Sequence, residues 1–141
     1  MKLIKCSTLF VAGFCLHEIL IILVFLATLS AVAIPAFHAT ALKERRSDGV
    51  AALKKAAARM EQFYLDNKSY TTNLTQLGYK VSPVASMEGY YKISALPATT
   101  TCPAANCYVL QAVAVRSQRH DTDCKKIILS SKGSKTPAVC W

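Results

Sequence analysis

His120, Asp121 and Asp123 stand together in the segment HDTD and offer an imidazole and two carboxylates to one loop. A hard cation takes six or more oxygen ligands, and two acidic side chains fall short of that. The segment therefore reads as a solvated loop, and no metal is expected. Ser130 and Ser131 could supply a hydroxyl nucleophile, but no glycine elbow surrounds them. Cys102, Cys107, Cys124 and Cys140 form an even set in the polar part of the chain. Their spacings are not the short paired knuckles of zinc sites, so two disulfides in an oxidising compartment are the favoured reading. Neither catalysis nor a cofactor is expected.

One constellation keeps a sharper chemistry. Arg116, Arg119, Lys125, Lys126, Lys132 and Lys135 fall within twenty residues, against only Asp121 and Asp123. Across all 141 residues Lys and Arg number 17 and Asp and Glu 8, a formal charge of +9. If the strands carrying this cluster are adjacent, the cations form a stripe suited to a phosphate backbone. The plain alternative is a solvated basic rim, because clustered charge alone is weak grounds for nucleic acid.

These residues depend on an N-terminal segment of different composition. GFCLHEILIILVFLATLSAVAIPAF, residues 13–37, carries no charge from Ile19 to Phe37. That length of helix spans about 28 Å at ~1.5 Å per residue, near the hydrocarbon thickness of a bilayer. A secretory signal peptide would explain Lys2, Lys5 and the small residues AVA at 31–33. It would leave Glu18 inside its apolar region and Pro35 at the second mature position. A plain membrane anchor explains the length but not the acid, which is costly near hydrocarbon without a partner. Cys15 in such a segment reads as a small buried hydrophobe, and His17 and His38 as interfacial side chains.

The pattern G-F-x-L-x-E, followed by some twenty apolar residues and a proline, resembles the N-terminus of type IV pilins. RRSDGVAALKKAAARMEQFY and DTDCKKIILSSKGSKTPAVCW resemble the minor-pilin branch in particular. The resemblance implies a leader at 1–13, cut between Gly13 and Phe14 by a prepilin peptidase that methylates Phe14. It implies a transmembrane and assembly helix over 14–37 and a periplasmic, later pilus-surface head over 38–141. Glu18 would then meet the N-terminal ammonium of a neighbouring subunit, a partner that makes the acid tolerable in low dielectric. Pro35 would bend or melt the helix locally. The implied partners are other pilin subunits, the peptidase and the inner-membrane assembly machinery. The inner membrane comes first and the cell-surface filament afterwards, serving pilus assembly, motility or adhesion. Minor pilins of this branch also resemble the DNA receptors of natural transformation, which makes the basic cluster a candidate DNA surface. A pseudopilin of type II secretion is a further alternative, disfavoured by the Cys124…Cys140 pattern.

The rest of the chain suits an α+β pilin fold. Val50, Leu53, Ala57, Met60 and Tyr64 recur at steps of three and four, one stripe of a helix that packs on a sheet. Gly49 interrupts it at a cost of ~1 kcal/mol. Asp66 and Asn67 are turn-formers that end the helix. Residues 67–89 read as loop with a helical turn at Leu74 to Leu77. Strands are predicted at 90–96, 107–115 and 125–131, then a turn at 132–135 and a short final strand in PAVCW. The meander would be stapled by disulfides: Cys124 to Cys140 around the C-terminal hairpin, and Cys102 to Cys107 across PAAN. Four cysteines allow three connectivities, so crossed pairing stays open.

Overall fold

A computed structural model describes residues 16–141, so Gly13, Phe14 and Cys15 lie outside the described residues. Two compact units divide the chain after Ala39. Helix α1, Leu16–Asn67, is unbroken through position 35. In the first unit it exposes Leu16, Ile19, Leu20, Leu23, Phe25 and Leu29. Glu18 lies exposed in its first turn. Among the described residues no helix is long and apolar enough to cross a membrane.

The second unit, Thr40–Trp141, contains the sheet. Strands β1 (Val84–Ala85), β2 (Tyr91–Ala95), β3 (Val109–Ala114), β4 (Lys126–Ser130) and β5 (Lys135–Thr136) follow one another in space as in sequence. Every pair is antiparallel, so the sheet is a meander. Alternation along each strand sends Tyr91, Ile93, Leu110, Ala112, Ile127 and Leu129 to one face, where they share a core with Leu53, Ala56 and Met60 of α1. The helical stripe is thus centred on Leu53 and Met60, with Val50, Ala57 and Phe63 at its margins.

Gly49 has a packing reason that helix propensity does not reveal. A Cβ at this position would stand 2.8 Å from the Tyr91 ring, so only glycine lets that ring lie on the helix. The helix ends at Asn67, as its turn-formers predict, and Lys68 follows in the left-handed region at φ 56°. A 3-10 turn at Leu74–Leu77 is capped by the Asn73 side chain, which accepts from the Thr75 amide at 3.0 Å. Its two leucines enter the core.

Two local expectations are corrected. The segment PAVCW is not a strand: Ala138–Cys140 form a 3-10 turn, and the last strand is Lys135–Thr136 just before it. Pro137 lacks an N–H to continue a ladder, and Cys140 must turn back to reach Cys124, Cα to Cα 5.9 Å. Within the segment read as loop, Val84–Ala85 pairs with Lys92 and Ile93. Two residues are too few to show a period. The second disulfide joins Cys102 to Cys107, Cα to Cα 5.0 Å, so the pairing is not crossed.

Candidate nucleic-acid interface

At the end of the sheet where β2 begins and β3 ends, the chain leaves Ala114 for a 3-10 turn at Arg116–His120. Gln118 in that turn is fully buried. Its Nε2 lies within hydrogen-bond reach of the Leu42 carbonyl (3.0 Å), the Tyr91 hydroxyl (3.2 Å) and Asp121 Oδ2 (2.9 Å). The Tyr91 hydroxyl donates to the Cys124 carbonyl at 3.1 Å. Burial pushes the Tyr91 phenol above its usual pKa, which keeps it protonated and donating.

Asp121 is the acid at the centre of this network. It is 3% exposed and takes two bonds from the Arg46 guanidinium of α1, at 2.7 and 2.8 Å. Asp123 stands 3.6 Å from the same guanidinium. The hydrogen bond to Asp121 is the main cause that raises the Arg46 pKa, against a smaller opposing effect of burial. A carboxylate this buried persists because a bidentate partner offsets its desolvation. Asp121 thus turns inward to the helix while Asp123 stays exposed at its margin, and among the described residues no metal-binding group of side chains forms.

The consequence for the cations is direct. Arg116, Arg119, Lys125 and Lys126 are exposed, and none forms an ion pair among the described residues. On the outward sheet face, register sets Lys92, Val113 and Lys126 in one cross-strand row. At one strand spacing per step the two lysines lie about 10 Å apart at Cα. Lys92, Arg119 and Lys125 line a shallow depression of about 610 Å³ together with Ser94, Val113 and Val115. Arg116 sits beside it in the left-handed region, φ 51°, an uncommon conformation for an arginine.

The six-residue cluster read from sequence thus divides. Arg116, Arg119, Lys125 and Lys126 gather at one end, whereas Lys132 and Lys135 belong to the β4–β5 turn and β5 at the other. Lys135 pairs with the buried Leu129, so it faces away from the outward row, with its Nζ 5.3 Å from the Trp141 ring centroid. Lys92 was missed because it is far away in sequence. Its signal was the alternation in YYKISAL, which points Lys92 out while Tyr91 and Ile93 point in.

Against this geometry, the chain matches the sequence model of a family described as type IV minor pilin ComP, DNA uptake sequence receptor, over residues 35–128. The chain belongs to that family. It is also 41% identical over 76 residues to the type IV wide pilus major component PilA4 of Thermus thermophilus. That alignment takes in 50% of this chain and 56% of the relative, so the chain spans about half the length of the curated relative it matches. A type IV pilin of known structure from Shewanella oneidensis is similar with a TM-score of 0.51 at 28% identity, over 71% of this chain and 97% of that one. The fold is the pilin fold: a helix packed on an antiparallel five-stranded sheet with two disulfides.

Proposed function

We propose that this protein is a minor subunit of a type IV pilus, and that its head holds double-stranded DNA. The subunit role is supported by the family match and by the exposed apolar side chains of α1 between Leu16 and Leu29. In this reading the chain waits as a single-pass protein of the inner membrane, its head in the periplasm. The prepilin peptidase then cuts it between Gly13 and Phe14, and apolar helix packing draws it into the filament. Glu18 sets the register by pairing with the N-terminal amine of Phe14 on a neighbour, and Pro35, with no N–H to donate, sits within a helix that continues through it. Protein recovered from sheared surface filaments should begin at N-methylated Phe14 on intact-mass analysis. A chain beginning at Ile34 or beyond would end the pilin role. Glu18→Ala should leave the head folded but lower its recovery in filaments.

The DNA reading is carried by one observation: Asp121 is buried against Arg46, and Lys92, Arg116, Arg119, Lys125 and Lys126 stand at one end of the sheet with no ion pair among the described residues. The outward face there presents Lys92, Ser94, Gln111, Val113, Lys126 and Ile128, with no aromatic ring on which single-stranded bases would stack. A duplex backbone suits it better. The description of the matched family as a DNA uptake sequence receptor supports the same reading. The test compares alanine at Lys92, Arg119, Lys125 and Lys126 with alanine at Lys132 and Lys135, using duplex DNA and the full chain in neutral detergent. The first set should lower affinity and reduce the slope of log K against log salt by about 0.9 for each phosphate no longer neutralised. The second should stay close to wild type. Equal effects from the two sets, or binding without salt dependence, would remove the proposed surface.

A further inference from the structure

The turn joining β1 to β2, residues 86–90, carries Met87 at its tip with 101% relative exposure. A lone exposed apolar side chain is ordinary on a protein surface. What sets this one apart is the rigidity of its support and the charge beside it. Asp48 of α1, itself buried, accepts from the Ser86 hydroxyl, from the Glu88 amide at 3.1 Å and from the Tyr90 amide at 3.4 Å. Ser86 Oγ in turn accepts from the Tyr91 amide at 2.9 Å. Backbone bonds from Ser86 to Tyr91 and from Gly89 to Ser86 close the turn. The backbone that presents Met87 is therefore ordered before any partner arrives, which lowers the entropy cost of using it.

Two arginines pack against the later part of the same turn, at Gly89 and Tyr90. The Arg116 guanidinium lies 3.1 Å from where a Cβ on Gly89 would stand, and the Arg45 guanidinium rests 4.5 Å from the Tyr90 ring centroid. Arg45 also donates to Ser117 Oγ at 3.1 Å. Neither arginine has an ion-pair partner among the described residues. A rigid apolar tip on a turn that arginines pack against has the chemistry by which proteins pry apart a base step and kink a duplex. The thioether is flexible and polarisable, which suits it to the edge of an opened stack.

We propose that Met87 is a wedge that enters between base pairs of the duplex held at the basic end of the sheet, an inference that rests on the DNA-binding reading. The favoured ligand is then a duplex with a pyrimidine–purine step, because such steps unstack most easily. Glu88, exposed beside the tip, opposes the phosphates. Its removal should tighten binding.

The experiment uses the full chain in neutral detergent and a short duplex with 2-aminopurine beside a central TA step and fluorophores at its two ends. Wild-type protein should raise the 2-aminopurine signal and shorten the end-to-end distance. Met87→Ala should lose both and weaken binding by about tenfold, with an unchanged salt slope because every phosphate stays neutralised. Met87→Leu should retain both signals, and Glu88→Gln should increase affinity. If alanine at Lys92, Arg119, Lys125 and Lys126 weakens binding while Met87→Ala changes neither signal nor affinity, the wedge is wrong and the DNA reading stands. No binding by wild type overturns both. Loss of Met87→Ala from filaments with DNA distortion intact would make the tip a subunit contact and overturn the wedge.

Discussion

The two ends of the sheet are held by different chemistry. Where β2 begins and β3 ends, buried polar side chains tie the loop after β3 to the helix: Arg46 to Asp121, and Gln118 to Leu42, Tyr91 and Asp121. The Cys124–Cys140 bridge closes the same end across a sequence separation of 16. Where β2 ends and β3 begins, aromatic packing replaces the polar network. Tyr64 stacks on Tyr70 with centroids 4.6 Å apart, and Tyr70 meets Tyr108 edge-on at 4.8 Å. The disulfide there, Cys102–Cys107, spans a separation of only 5. The polar end turns Asp121 inward to Arg46 and leaves Arg116, Arg119, Lys125 and Lys126 outside. The aromatic end hides hydrocarbon and does nothing to concentrate charge. The means of holding an end thus decides whether a charged surface remains available.

The sharpest way to break that contrast is Asp121→Ala. It leaves Arg46, whose side chain is 12% exposed, with the exposed Asp123 at 3.6 Å in place of its bidentate partner, and removes one of the acceptors of Gln118. Breaking a buried pair from one side typically costs about 3–5 kcal/mol. Chemical denaturation should show a loss of that order, and a loss under ~1 kcal/mol would mean that the network does not hold this end.

The disulfides come next. In the chain-entropy description Cys140→Ser should cost about 3 kcal/mol and Cys102→Ser about 2 kcal/mol, because the shorter loop restricts the unfolded chain less. Thermal melts of the two variants, each with and without reductant, measure the difference. Equal losses would show that the bridges act through native packing instead of loop length.

The smallest effect is expected in alkali, and it probes both ends together. Burial raises the phenol pKa of Tyr91 and of Tyr108 above the value of a free tyrosine. The native state therefore keeps protons that the unfolded chain releases near pH ~10. Stability from these groups is complete below that pH and is lost as pH rises through the raised native values. Denaturation midpoints should be flat with respect to these phenols at neutral pH and fall above pH ~10. Tyr108→Phe should remove part of the fall while leaving the Tyr91 part in place.

Much of the fold was legible from local pattern. The stripe through Leu53 and Met60 marked the helix face, and Leu74 to Leu77 marked a helical turn that the structure contains. Three strands fell within the predicted segments 90–96, 107–115 and 125–131. The candidate site was legible only in part. Arg116, Arg119, Lys125 and Lys126 were visible as a charge cluster, but Lys132 and Lys135 do not join them and Lys92 does. The turn bearing Met87 carried no sequence signal, since its rigidity comes from Asp48, 38 residues away from Ser86.

The amino-acid sequence by itself determined the long helix and the three longest strands, which face of each is apolar, and that cations exceed acids. Those properties follow from neighbours a few residues apart, through periodicity, capping and turn chemistry. Only the tertiary structure decided which cations share a surface, that Asp121 turns inward to Arg46, and that Gly49 makes room for Tyr91. Each of those is a meeting of residues distant in the chain, set by strand register and by the cost of burying a charge without a partner.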